Sequence, residues 1–180
     1  MIAALVLSLS LADPNLSGAP ARFAQFPDAE IVYYEVHGDS ADEVRAELDR
    51  KILSDPATGK RGLARAHHEI GWDYWEAEDG MCEAEVVQRL WVEFPRLAPT
   101  ARLGRNDLAR WDAFLLALEA HEAGHLLRAK AMVPELQAAL EDGPCEGSRE
   151  RAMAVLDRME AEQEDYDERT RHGVVTGAYF

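Results

Sequence analysis

Apolar residues recur along the chain at two different periods, and the change from one to the other divides it. In "EIVYYEVHG" (30–38) the β-branched and aromatic residues predict a strand that Gly38 ends. "DSADEVRAELDRKIL" (39–53) follows with a capping residue and apolar positions at Val44, Leu48 and Ile52, four apart, as one face of a helix requires. Pro and Gly make 54–62 a loop. "HEIGWDYWEAEDG" then sets Ile70, Trp72 and Tyr74 on one side and Asp73 on the other, the alternation of a half-buried strand. Asp79 and Gly80 read as the turn into "MCEAEVVQRLWVEFP" (81–95), the partner strand of a hairpin, with Pro95 and Pro99 marking its end.

Past residue 105 the period becomes helical. Asn106 or Asp107 can cap a helix whose apolar positions include Leu108, Trp111, Phe114, Leu115 and Leu118 and which continues through His121 and His125 to Ala129 and Met132; Pro134 is expected to kink or end it. After the turn "EDGPCEGS" a second helix is expected from about Ser148 to Arg171, stopped by Gly173, with Ala152, Leu156 and Met159 turned inward. Helices joined by so short a turn pack antiparallel. The predicted fold class is therefore α+β: a small antiparallel sheet packed on the long first helix, with the second long helix beside it. Trp72, Trp75, Trp91 and Trp111 are expected to fill the core between sheet and helices.

Composition adds limits. At 180 residues, 47% of them hydrophobic, the chain suits one domain with a real core. Its first twelve residues, "MIAALVLSLSLA", are too short a run to span a bilayer but resemble the apolar region of a secretory signal, with Ser10 and Ala12 as small residues for cleavage. The basic leading region of such a signal is missing, which leaves the true start site open. Residues 1–19 are thus expected to be a leader and 20–180 a single domain, secreted or periplasmic and without a stable membrane span. Cys82 and Cys145, the only two cysteines, are expected to form one disulfide in that compartment. A formal net charge of −15 repels phosphate backbones and anionic lipid heads, so nucleic acid is not expected as a partner.

The chemistry lies in "HEAGH", residues 121–125. Histidines at i and i+4 stack on one helix face, close enough to share a tetrahedral zinc ion, and Glu122 projects about 100° around, where a base for zinc-activated water belongs. A catalytic zinc usually takes three protein ligands and leaves one position for water. No third histidine follows on the same segment, because residues 126–131 are Leu, Leu, Arg, Ala, Lys and Ala. If the two long helices fold back about Pro144, equal rise per residue sets residue 123 opposite about residue 165, so "EAEQEDYDERTRHG" faces the motif. Gln163, Tyr166, Asp167 and Thr170 continue the inward row there. His172 is favoured as third ligand because nitrogen suits zinc and Gly173 lets the chain turn, with Asp167 as the alternative ligand or as the acceptor that orients a ligating histidine. His67, His68 and His37, with no partner at ligand spacing, read as ordinary surface residues, and Tyr166 as a packed side chain more than a catalytic one.

"HEAGH" followed after one helix by "YDERTRHG", with a "WDYW" strand and a cysteine in the next strand, resembles the predicted secreted zinc-dependent protease family of bacteria from about Ile31 to Phe180. That resemblance implies a zincin-like fold and an exported enzyme, with His121 and His125 as ligands and Glu122 as base. It leaves the third ligand open. The expected function is hydrolysis of peptide bonds in a peptide or protein substrate. The alternative is an exported binding or envelope-associated protein whose zinc is structural.

Overall fold

A computed structural model describes residues 21–54 and 61–180. The expected leader lies outside these residues. The elements run β1 (Glu30–Val36), α1 (Ala41–Arg50), β2 (Leu53–Ser54), β3 (Arg61–Gly62), β4 (Arg65–Glu76), β5 (Cys82–Leu97), α2 (Arg105–Glu141) and α3 (Ser148–Thr170), with short 3-10 turns at Phe23–Gln25 and Val174–Thr176. The class is α+β, as the sequence pattern predicts.

The main sheet has three strands in the order β1-β5-β4, and it is mixed where an antiparallel one was expected. β4 and β5 form the expected hairpin, antiparallel from Arg65 opposite Glu93 to Glu76 opposite Cys82. β1, however, runs parallel to β5, from Glu30 opposite Trp91 to Val36 opposite Leu97. β5 carries the most apolar inner row, with Leu90, Val92 and Phe94 all buried, and burial on that scale belongs to a central strand. With β4 on one side of β5, β1 takes the other side; the link from β1 through α1 returns the chain into β4 antiparallel to β1, and the hairpin reversal then sets β5 parallel to it. Period-two patterning is the same for either direction, so it does not distinguish the two cases.

α2 is one helix of 37 residues that does not stop at Pro134. The missing proline N–H is offset by packing on both sides of it: Met132, Leu136 and Leu140 are buried against Ala152, Val155 and Met159 of α3. The helix end is satisfied by side chains of α3, since Ser148 Oγ donates to Leu140 O at 2.8 Å and Arg151 Nε to Ala139 O at 2.9 Å. The start of α2 is capped at Gly104, with Asp107 in its first turn. A larger core joins Val92 and Phe94 of the sheet to Val44 and Leu48 of α1 and to Trp111, Phe114 and Leu126 of α2. Glu119, 2% exposed, accepts the backbone N–H groups of Arg22 and Phe23 and so ties the first 3-10 turn to α2. Of the four tryptophans only Trp111 is fully in the core. Trp72 packs against the α2–α3 cluster, Trp75 is 46% exposed, and Trp91 lies on the outer sheet face stacked on His67. No helix among the described residues is long and apolar enough to cross a membrane.

Cys82 and Cys145 are joined in a disulfide that fastens the start of β5 to the α2–α3 turn across 63 residues of sequence. Removing a native bridge of this kind typically costs about 2–5 kcal/mol. The double variant Cys82→Ser/Cys145→Ser is therefore expected to melt about 5–15 °C lower with its helical circular dichroism retained at room temperature. An unchanged melting temperature would show that the α2–α3 turn is held without the bridge.

Candidate metal centre

The antiparallel packing of α3 on α2 has the register expected from the turn. Gly124 faces Tyr166, His125 faces Gln163, and His121 faces Thr170. Each of the inward-row residues 163, 166, 167 and 170 accordingly touches the motif.

Three side-chain atoms converge. His125 Nε2 lies 3.2 Å from His121 Nε2 and 3.0 Å from Asp167 Oδ1, and His121 Nε2 lies 3.3 Å from the same oxygen. Donors held about 2.0–2.1 Å from a tetrahedral ion stand about 3.3 Å apart, so this triangle has the dimensions of one face of such a site. His121, Glu122 and the Asp167 carboxylate are 5%, 4% and 17% exposed. Among the described residues, His121, His125 and Asp167 form a group that could hold a metal ion.

The surrounding hydrogen bonds fix which nitrogen of each ring faces that point. Gln163 Oε1 accepts from His125 Nδ1 at 2.6 Å, while Gln163 Nε2 donates to His125 O at 3.1 Å. Thr170 Oγ1 donates to Tyr166 O at 2.7 Å and is left to accept from His121 Nδ1 at 3.3 Å. With both Nδ1–H groups committed in this way, two Nε2 lone pairs and a carboxylate lone pair meet, an arrangement that is favourable only with a cation or a proton between them.

Electrostatics follow the geometry. Burial pushes the Asp167 carboxyl up, but hydrogen bonding with His121 and His125 and the electrostatic effect of the neighbouring His125 and His172 outweigh it and hold the group well below the usual carboxylate range. Burial also opposes charge on His125, yet its bond to Asp167 and the neighbouring Glu122 raise it above an ordinary imidazole. Glu122 is raised by burial, which the two histidines only partly offset. Its Oε2 accepts the N–H of Ala66 on β4 at 2.7 Å, which anchors one oxygen on the sheet and orients the other.

His172 stands beside the triangle. Its Nδ1 is 3.3 Å from Asp167 Oδ1, its side chain is 59% exposed, and its backbone N–H donates to Asp167 O at 3.0 Å. Arg171 and His172 both have left-handed backbone, with φ of 49° and 52°, and this lets the chain leave α3 and bring the imidazole back. The centre opens into a cavity of about 630 Å³ walled by the β4 edge and α3 and floored by α2. His68, read from sequence as a surface residue ahead of a strand, lies within β4 and lines this cavity; burial and the neighbouring His125 hold it below an ordinary imidazole. His67, also inside β4, bonds Glu93 at 2.8 Å. Gln163 and Thr170 carry roles that the sequence placed only on a face. The sign was there in the polar residues spaced four and seven along an otherwise inward row.

No curated protein matches the chain. No solved structure matches it either. A family profile does, over residues 31–173, a span that contains all but the first residue of β1, the hairpin and both long helices and ends just past His172. The chain belongs to DUF922, a family of bacterial proteins of unknown function.

Proposed function

We propose that the protein is an exported zinc-dependent peptidase that cleaves extended polypeptide at this centre. What carries this is the convergence of His121 Nε2, His125 Nε2 and Asp167 Oδ1 on one point, beside a buried glutamate and at the floor of an open cavity. Two imidazoles and one carboxylate are a donor set that suits zinc with a position left open. A zinc ion bound there would polarise a scissile carbonyl and lower the pKa of water.

The chain's own groups supply the rest. Glu122 takes the proton of the attacking water, a transfer that its raised proton affinity favours, and passes it to the more basic leaving amine. β4 is an outer strand whose Ala66 N–H points away from β5; by strand alternation the backbone groups of His68 share that edge and can pair with an extended peptide. His172 remains off the metal and donates to the carbonyl oxygen as charge develops on it. Export is supported by the apolar run at residues 1–12 and by the disulfide.

One observation favours the alternative, an exported binding protein with structural zinc: His172 is close enough to Asp167 to be a fourth donor. A closed site, however, has no use for the buried Glu122. Purified protein, assayed for zinc by atomic absorption and incubated with a peptide library read by mass spectrometry, decides between them. Cleavage that a chelator abolishes and zinc restores is the expected result. A zinc-free preparation that still cleaves, or a zinc-loaded one that cleaves nothing, overturns the proposal.

A further inference from the structure

The motif glycine has a structural cause. A Cβ built on Gly124 would lie 2.1 Å from Tyr166 Oη and 2.5 Å from its Cζ, so any side chain at 124 would displace the ring. With glycine there, the Tyr166 ring packs against both motif histidines: it stacks on His121 at 5.2 Å with 13° between planes and meets His125 edge to face at 4.9 Å. Its hydroxyl donates to His121 O at 3.2 Å. The outer side of the ring is covered by Arg128, whose guanidinium carbon is 3.7 Å from the centroid and whose Nη1 donates to Gly124 O at 2.7 Å.

His121 and His125 alone are not held in position by their helix. A histidine on a helix surface has several rotamers, and two neighbouring imidazoles lose freedom when both rings are turned to one point. Hydrogen bonds donated to Gln163 and Thr170 fix one atom of each ring but not the ring plane. A rigid aromatic plate packed against both does fix the planes, parallel to one ring and perpendicular to the other, which is the 85° angle the two imidazoles make with each other.

From this geometry we infer that Tyr166 is a positioning residue: wedged over Gly124 and clamped by Arg128, it sets the planes of His121 and His125 so that both Nε2 atoms reach one ion. The face of the ring does this, and the hydroxyl is secondary. The inference rests on the metal site proposed above and not on the reaction that the site catalyses.

Cobalt and zinc serve as probes on the full-length protein. Zinc affinity by chelator competition and the visible spectrum of the cobalt form, which reports ligand geometry directly, are compared for wild type, Tyr166→Phe, Tyr166→Leu and Arg128→Met. Tyr166→Phe keeps the plate and should retain zinc affinity within about threefold and the wild-type cobalt spectrum. Tyr166→Leu should lose about 10–100-fold in affinity, the usual cost of a lost supporting partner, with an altered cobalt spectrum. Arg128→Met, which leaves α3 packed if Tyr166→Leu does not fold, should shift the spectrum in the same direction by a smaller amount. Cobalt spectra identical to wild type in Tyr166→Leu and Arg128→Met overturn the inference while leaving the metal site standing. A wild-type protein that takes up neither ion overturns the site and this inference together.

Discussion

Glu122→Gln is expected to lower kcat/KM for peptide cleavage by about two to four orders of magnitude, with zinc content and melting temperature unchanged. Glutamine has nearly the same shape, and its amide oxygen can still accept from the Ala66 N–H that holds Glu122 at 2.7 Å, so the contact between α2 and β4 survives. What disappears is the ability to take a proton from water. A buried glutamate this close to two histidines would also affect metal affinity if its charge were needed to hold the ion, and the two effects separate cleanly when zinc affinity and turnover are measured on the same preparations. Turnover like wild type in zinc-loaded Glu122→Gln would remove Glu122 from the mechanism.

The second large effect distinguishes Asp167 from His172. Sequence reasoning favours His172 as third ligand on donor chemistry, but Asp167 Oδ1 is the atom that closes the triangle, and His172 is 3.3 Å from that oxygen with most of its side chain exposed. Asp167→Ala should therefore weaken zinc binding by more than about 100-fold, beyond the 10–100-fold that loss of an outer partner costs. His172→Ala should cost less than about tenfold in affinity and act mainly on kcat, through the lost donor to the carbonyl oxygen. Chelator competition with both variants gives the ranking directly. A His172→Ala protein that loses zinc while Asp167→Ala retains it restores the opposite assignment, and loss of zinc in both variants points to the closed, structural site.

Much of the centre was legible because helices carry their geometry in their spacing. The stacking of His121 on His125 follows from a four-residue interval, and the pairing of residue 125 with 163 follows from counting out from the turn at Pro144. Where the sequence fell short, the deciding interaction was between segments that no period links. β1 lies parallel to β5 because the link through α1 returns the chain into β4 before the hairpin reverses it, and alternation is blind to direction. The choice between Asp167 and His172 depends on two consecutive left-handed residues, 171 and 172, that lack the glycine which usually signals that conformation. His68 was missed because β4 begins at Arg65, through a polar "RAHH" run that shows no hydrophobic alternation. Gly124 has a reason only once Tyr166 is known to sit above it.

α3 has unlike ends. Its first turns are fastened by the Cys145 bridge three residues upstream and by Ala152 and Val155 in an apolar cluster, whereas its last turns meet α2 through Gln163, Tyr166, Asp167 and Thr170 around the histidines. Protection of its amide hydrogens against exchange should therefore fall steeply along the helix once metal is stripped, staying high near residues 150–156 and collapsing over 163–172. Loading then becomes a docking event: an ion can be captured fully only while the frayed end is home. At high zinc the rate of uptake should level off at the rate of that docking, so the bridge at one end of α3 sets how far its other end can stray before the centre must be rebuilt.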